Sequence, residues 1–217
     1  MLKAGIVGAA GYAGAELVRI ILRHPEFELC VATSNSDEGT PLSSVYPAFT
    51  DVTNLTYSRH DNPELFNCDV VFLATPHTVA MKSAPGLLEA GVTVVDLSAD
   101  YRLRDRATYE QWYKVEHTSP ELLATATFGL PELNRQALAD AAARHAQGEA
   151  ILVACAGCYP TATSLAVAPV IELSQGIVVA DAISGVSGAG RSATARTHFV
   201  SANENFEAYG VTSHRHT

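Results

Sequence analysis

Apolar positions come along this chain in short runs set between helical periodicities. Ala4 to Val7 is the first run, and it ends in Gly8-Ala9-Ala10-Gly11-Tyr12-Ala13-Gly14. The next stretch puts Ala13, Leu17, Ile20 and Ile21 on one helical face and closes on His24-Pro25. Phe27 to Ala32 reads as a second strand and Val70 to Ala74 as a third, stopped by Pro76. Helical residues run to Glu89, Ala90-Gly91 stops them, and Val92 to Leu97 is a further strand. Residues 101 to 136 are more irregular, and Ala137 to Gln147 is an alanine-rich helix. Ile151 to Ala154 is another short buried strand, followed by Cys155-Ala156-Gly157-Cys158 and a helix from about Pro160. Ile177 to Ile183 reads as one more strand, ended by a second glycine-rich loop from Ser184 to Gly190. Repeated strand–helix alternation predicts an α/β fold with a parallel, doubly wound sheet. The expected division is 1–154 and 155–217, the second part being the incomplete start of an α+β substrate domain. With no capping signal at Ser213-His214-Arg215-His216-Thr217, the sequence reads as a piece of a longer protein.

The glycines at 8, 11 and 14 are spaced G-x-x-G-x-x-G between a strand and a helix. One glycine permits the tight turn, another lets the backbone approach a pyrophosphate, and the third lets helix and strand pack closely. The helix start, with Tyr12 and Ala13, then offers free N–H groups and a partial positive charge to phosphates. A plain strand–helix turn uses glycine too, so the position after the first strand is what points to a Rossmann-type dinucleotide site. The second strand ends in Thr33-Ser34-Asn35-Ser36, where NAD binders usually carry an acid for the ribose 2′-hydroxyl. Ser34 and its neighbours can donate to a 2′-phosphate, and Asp37 lies past the strand, so NADP(H) is the expected cofactor.

Charge narrows the partners. The 217 residues hold 14 Lys and Arg against 23 Asp and Glu, a net charge of −9, with no basic run. A nucleic-acid partner is therefore excluded on average electrostatics. No apolar run reaches the roughly 18 residues of a membrane helix, and the N-terminus lacks a signal-peptide pattern, so a cytoplasmic protein is expected. Four cysteines in this setting do not make a disulfide scaffold.

Cys158 is the expected nucleophile. It follows a buried strand and opens a helix, where the dipole and free N–H groups favour a thiolate able to attack a carbonyl or acyl phosphate. Three other uses of the same residues stay open: Cys155 and Cys158 as a C-x-x-C redox pair, half of a zinc site that lacks a second ligand pair, and a buried small hydrophobe. Oxidation of Cys155 with Cys158 would also silence such an enzyme reversibly. Cys30 and Cys68 flank strands and read as packing residues. No metal site is expected. The acid–base candidates are His214 and His216, which share one face of an extended segment while Arg215 points the other way. His77 lies at the carboxyl end of a strand and lines the site edge. In the second glycine loop, Ser187 and Gly188 can pack on a nicotinamide or cup an anion, and Arg191 is a fork-shaped donor for carboxylate or phosphate. Asp100 and Arg102 order the same edge or form an ordinary ion pair.

Several stretches together resemble the N-acetyl-gamma-glutamyl-phosphate reductase family. They are Gly8 to Leu17, Leu97-Ser98-Ala99-Asp100-Tyr101-Arg102-Leu103, Gly129 to Arg135, Gly157-Cys158-Tyr159-Pro160-Thr161, Ser184 to Arg191, and His214 to Thr217. The resemblance covers the whole chain. It departs where Ala156 stands in place of a frequent proline, and where family members extend past the histidine pair. It implies chemistry like that of glyceraldehyde-phosphate and aspartate-semialdehyde dehydrogenases, in arginine biosynthesis. The Cys158 thiolate attacks N-acetylglutamyl 5-phosphate, inorganic phosphate leaves, and hydride from NADPH reduces the thioester to the semialdehyde. It also implies an acid–base histidine, with His216 favoured over His214, and Arg191, Arg215 and Arg102 as substrate-binding residues. A homo-oligomer of the full-length protein is implied as well. The same chemistry on an aminoadipyl phosphate in lysine biosynthesis, and a nucleotide-binding module without turnover, are the alternatives.

Overall fold

The computed structural model of the chain describes residues 1–211. Strand β1 (Leu2–Val7) lies between β2 (Phe27–Thr33) and β3 (Val70–Leu73), parallel to both. Strand β4 (Thr93–Asp96) adds to β3, β6 (Leu152–Cys155) to β4, and β5 (Thr127–Gly129) closes the far edge. The order β2-β1-β3-β4-β6-β5 is parallel throughout. Direction of winding reverses between β1 and β3, so a crevice opens there at the carboxyl ends of the strands.

Alternation along the strands loads both faces of the sheet. Ala4, Ile6 and Val70 pack with α1 (Tyr12–Ile21), while Val7, Val71, Leu73 and Val94 pack with α3 (Ala80–Glu89). Ile6, Val71 and Leu73 are fully buried, each contributing about 1.5–3 kcal/mol over an exposed side chain. The remaining helices of this region are α2 (Leu42–Val45), α4 (Arg106–Tyr113) and α5 (Pro131–His145).

Helix α1 presents a different face from the one its periodicity predicts. Gly14, Ala15, Val18 and Ile21 are buried, whereas Ala13 and Ile20 are exposed. The reason is the close approach of Gly14 to the turn below, which rotates the smallest residues inward. Residues 101 to 136 are also more regular than expected. They hold α4, whose N-cap Asp105 accepts from the Thr108 N–H, and the short strand β5. Helix α5 begins at Pro131, six residues before the alanine-rich segment, with a kink at Asn134.

The chain divides into two compact units, Met1–Gly157 and Cys158–Thr217. The second carries α6 (Cys158–Val167), 3-10 turns at Ile171–Leu173 and Val186–Ala189, and the one-turn helix α7 (Phe199–Ala202). The strand expected at 177–183 is not formed: no described strand pairs with it, and Ile177 and Val179 are almost wholly exposed. A strand without a neighbour has no ladder to close its hydrogen bonds, so its β-rich composition cannot act. No described residue of this second unit is buried.

Candidate active site

The turn after β1 is built from backbone. The Gly8 and Ala9 N–H groups both donate to the Thr33 carbonyl, at 3.1 and 2.8 Å, which ties the turn to the end of β2. Gly8 has φ +85°, and a Cβ there would lie 2.4 Å from the Ala74 carbonyl oxygen. A Cβ on Gly14 would lie 2.2 Å from the Gly8 oxygen. Gly11 is the N-cap of α1 and has no side-chain cap, so the amides that open the helix are left for an anion. Across the crevice, Thr75 follows β3, with its methyl carbon 3.4 Å from the Cβ position of Gly8. Its hydroxyl is buried and has no hydrogen-bond partner among the described atoms. An uncapped helix start, a glycine cradle and an orphaned hydroxyl fit a bound dinucleotide pyrophosphate.

The end of β2 is a polar knot. Asp37, expected past the strand, turns back so that its Oδ2 accepts from the Ser34 and Ser36 hydroxyls, each at 2.7 Å. His60 bonds Thr33 Oγ1 through its ring nitrogen and donates its N–H to Asn35 Oδ1. Burial and the neighbouring Arg59 push the His60 imidazole below its usual range, so it carries little charge at neutral pH. Arg59 itself pairs with Asp61 at 3.2 Å and more loosely with Glu38 at 3.7 Å.

The segment 96–102 joins three strand ends. Asp100 is fully buried and accepts from the Thr78 N–H at 2.8 Å, the Met81 N–H at 3.1 Å and the Tyr109 hydroxyl at 2.8 Å. It thereby caps α3 and holds Thr78 at φ +76°, a strained conformation for a β-branched residue. His77, beside it, accepts from the Ala99 N–H through Nδ1 and stands edge-on to Tyr113. Arg102 does not pair with Asp100. Its Nε donates to the Cys155 carbonyl at 2.6 Å and an Nη to the Leu97 carbonyl at 2.7 Å.

Asp96 is fully buried and, among the described residues, accepts from the N–H and hydroxyl of Ser98. Burial pushes its carboxyl up to about 6, against those two hydrogen bonds, which lower it. The folded state therefore binds a proton more tightly than the unfolded chain does between about pH 4 and 6. Its contribution is greatest at the acid side and is lost as pH rises through about 6. Asp96→Asn is expected to flatten that slope and to stabilise the protein at pH 8 by about 1–2 kcal/mol. Chemical denaturation of both proteins at pH 5 and pH 8 measures it; equal slopes would contradict the assignment.

In the second unit, Cys158 is the first residue of α6 and is exposed. A cavity of about 650 Å³ lies against it, lined by Tyr159, Thr163, Asp181, Ser184 and Gly185 among others. The Tyr209 hydroxyl donates to Tyr159 Oη at 2.8 Å, and Arg196 sits 5.2 Å over the Tyr209 ring. Ser187 and Gly188 lie in the 3-10 turn Val186–Ala189, and Arg191 follows it, all exposed. Cys155, at the end of β6, is half-buried, and burial pushes its thiol up to about 11, leaving it protonated at neutral pH. Burial likewise raises Cys68 to about 11. His214, Arg215 and His216 lie outside the described residues. Among the described residues, no group of three His, Cys, Asp or Glu side chains is placed to hold a metal ion.

Residues 3–141 match the family described as semialdehyde dehydrogenase, NAD binding domain, and 158–217 match its dimerisation domain. The chain belongs to the semialdehyde dehydrogenase family. Curated relatives within it include the N-acetyl-gamma-glutamyl-phosphate reductases of Herminiimonas arsenicoxydans, 48% identical over 220 residues, and Halorhodospira halophila, 49% identical over 219 residues. Each alignment covers 100% of this chain and 61% of the relative, so the chain spans about three-fifths of their length. Among solved semialdehyde dehydrogenases, aspartate semialdehyde dehydrogenase with NADP from Candida albicans has a TM-score of 0.58 at 19% identity, over 80% of this chain and 47% of that one. Aspartate semialdehyde dehydrogenase II from Vibrio cholerae, complexed with ASA, has a TM-score of 0.60 at 17% identity, over 88% and 48%. At these identities the structures share the fold. No helix among the described residues is long and apolar enough to cross a membrane.

Thr75, Thr78 and Asp37 are site-edge residues that periodicity did not single out as ligands or acceptors. Thr75 and Thr78 had a visible signal, since Pro76 stands between them just past the carboxyl end of β3. Nothing in the sequence shows that Asp37 folds back.

Proposed function

We propose that this chain carries the cofactor site and nucleophile of an NADPH-dependent reductase. The protein would convert N-acetyl-L-glutamyl 5-phosphate to N-acetyl-L-glutamate 5-semialdehyde and inorganic phosphate in arginine biosynthesis. The observation that carries the reading is Cys158, exposed at the first position of a helix and opening on a cavity. It is supported by curated relatives of that name aligning over the whole chain.

In this mechanism the Cys158 thiolate attacks the acyl carbon, and the tetrahedral oxyanion collapses with loss of inorganic phosphate to leave a thioester. The nicotinamide, when bound, supplies the hydride for the thioester carbon. His216, with His214 as the second candidate, donates and removes protons at the reacting oxygen, a task suited to a side chain that titrates near neutrality. Arg191 and Arg215 bind the substrate carboxylate and phosphate. Tyr12, Ala13 and Gly14 hold the pyrophosphate through the N–H groups that open α1, Gly8 and Gly11 shape the turn that lets it approach, and Ser187 and Gly188 back the nicotinamide. The working form is a cytoplasmic homo-oligomer, a reading supported by the match of 158–217 to a dimerisation domain.

Ser34 and Ser36 are the donors for a 2′-phosphate, and Asp37 competes for both hydroxyls. Asp37→Ser is expected to improve the KM for NADPH over that for NADH by about tenfold, because a carboxylate beside a phosphate is removed. Initial rates with each cofactor measure it. A clear preference for NADH in the unaltered protein would sink the NADP assignment.

The reaction itself is tested by following NADPH formation with N-acetylglutamate semialdehyde and phosphate as substrates. Turnover that requires phosphate and is slower on the aminoadipate semialdehyde analogue is expected. A faster rate on the longer substrate would move the protein to lysine biosynthesis, and cofactor binding without turnover would reduce it to a binding module.

A further inference from the structure

Among the described residues, Thr78 is the one β-branched side chain at positive φ. Such a conformation persists only where its surroundings enforce it. Here the turn 98–100 grips the loop after β3 at three points. The Ala99 N–H donates to His77 Nδ1 at 3.2 Å, and Asp100 takes the Thr78 N–H on Oδ1 at 2.8 Å and the Met81 N–H on Oδ2 at 3.1 Å. That turn is itself pinned. Ser98 Oγ accepts from the Asp100 N–H at 3.1 Å and donates to Asp96 at 3.0 Å, and His117 Nε2 donates to the Asp100 carbonyl at 2.8 Å. At its other end the same loop walls the glycine turn. The Ala74 N–H donates to the Val7 carbonyl at 2.8 Å, and a Cβ on Gly8 would lie 2.4 Å from the Ala74 oxygen and 3.4 Å from the Thr75 methyl. Only Pro76 and His77 separate Thr75 from Thr78. Proline fixes its own φ, so a change of hand at Thr78 is passed back to Thr75 and Ala74.

We propose that Asp100 is a positioning residue for the dinucleotide cofactor. Its carboxylate holds Thr78 in the left-handed conformation, and this keeps Ala74 and Thr75 against the glycine turn, where they wall the crevice between β1 and β3. Asp100 is fully buried, so it acts through the loop and not by touching the cofactor. The Thr78 and Met81 N–H groups and the Tyr109 hydroxyl all donate to it, and a carboxylate accepts from all three without a donor of its own. The proposal rests on the reading that a nicotinamide dinucleotide occupies that crevice. It gives the strain a use: a threonine released from the clamp leaves the left-handed region and takes the wall with it, whereas a glycine has no reason to leave.

The test compares Asp100→Ala, alone and combined with Thr78→Gly, with the unaltered full-length protein. NADPH fluorescence titration gives both the Kd and the number of sites, and amide hydrogen exchange follows the peptide spanning 74–82. Asp100→Ala is expected to raise the Kd by about tenfold and to speed exchange at 74–82. Adding Thr78→Gly is expected to bring the Kd back to within about threefold of the unaltered value, because the strain that drove the loop away is gone. If Asp100→Ala does not fold, Asp100→Asn, which keeps one accepting oxygen, carries the same comparison, with a rise of about threefold that glycine again reverses. Fewer sites at an unchanged Kd would show a role in general stability alone and overturn the proposal. A raised Kd that glycine does not restore would also overturn it, because the conformation of Thr78 would then not be the link. Failure of the unaltered protein to bind NADPH or NADH would sink the cofactor reading, and the proposal with it, whereas tight binding by both the unaltered protein and Asp100→Ala sinks the proposal alone.

Discussion

Replacing Cys158 with serine is expected to lower phosphate-dependent oxidation of N-acetylglutamate semialdehyde by about 10⁴-fold or more, while NADPH binding is retained. A serine hydroxyl at the first position of α6 does not ionise near neutrality as a thiol can. An oxygen ester is also a poorer hydride acceptor than a thioester. The glycine turn that would hold the cofactor lies far away in sequence and in the other compact unit, so cofactor affinity should be unaffected. Stopped assays with both semialdehyde and phosphate, together with NADPH fluorescence titration, measure the two halves. A wild-type rate in the serine variant would remove Cys158 from the mechanism and leave the exposed cavity without a chemical role.

The second large effect belongs to Gly14. An added methyl would sit 2.2 Å from the Gly8 carbonyl oxygen and 2.7 Å from Ala9 Cα. Both are backbone atoms, fixed by the bonds from Gly8 and Ala9 to the Thr33 carbonyl, so neither can swing aside. Helix α1 would have to slide outward, opening the packing of Val18 and Ile21 against the sheet. Gly14→Ala is therefore expected to cost about 3 kcal/mol or more, lowering Tm by roughly 6–12 °C for a unit of this size. Gly11→Ala is the matched control. Its methyl meets only the Gly8 oxygen, at 3.4 Å, and its φ of −71° suits any residue, so stability should change by less than about 1 kcal/mol. Thermal melts of the two variants decide this, and equal melting temperatures would mean that the turn is not packed as described.

The motif-bearing part of the site was legible because its chemistry is local. A glycine spacing on a strand–helix turn, and a cysteine at a helix start, carry their physical reason within a few residues. The fold class followed from the same kind of signal, repeated strand–helix alternation with apolar runs short enough for buried parallel strands. Legibility failed where long-range partners decide. Ile177 to Ile183 has a strand's composition, yet without a paired neighbour it forms none. Ile20 has the right period for the core, yet the backbone contact between Gly14 and Gly8 turns it to solvent.

By itself, then, the amino-acid order determined the alternating architecture, the glycine-rich turn after β1 and a cysteine at the start of a helix. Those rest on torsional freedom, helix dipoles and apolar spacing, which act between near neighbours. Tertiary structure decided which oxygen each polar side chain meets. Asp37 reaches two serine hydroxyls, Asp100 the start of α3, and Arg102 the carbonyls of Leu97 and Cys155, the last across 53 positions of chain. Hydrogen bonds are short and directional, so a residue's partner is set by the strand order that brings distant segments together, and that order is written nowhere in the local sequence.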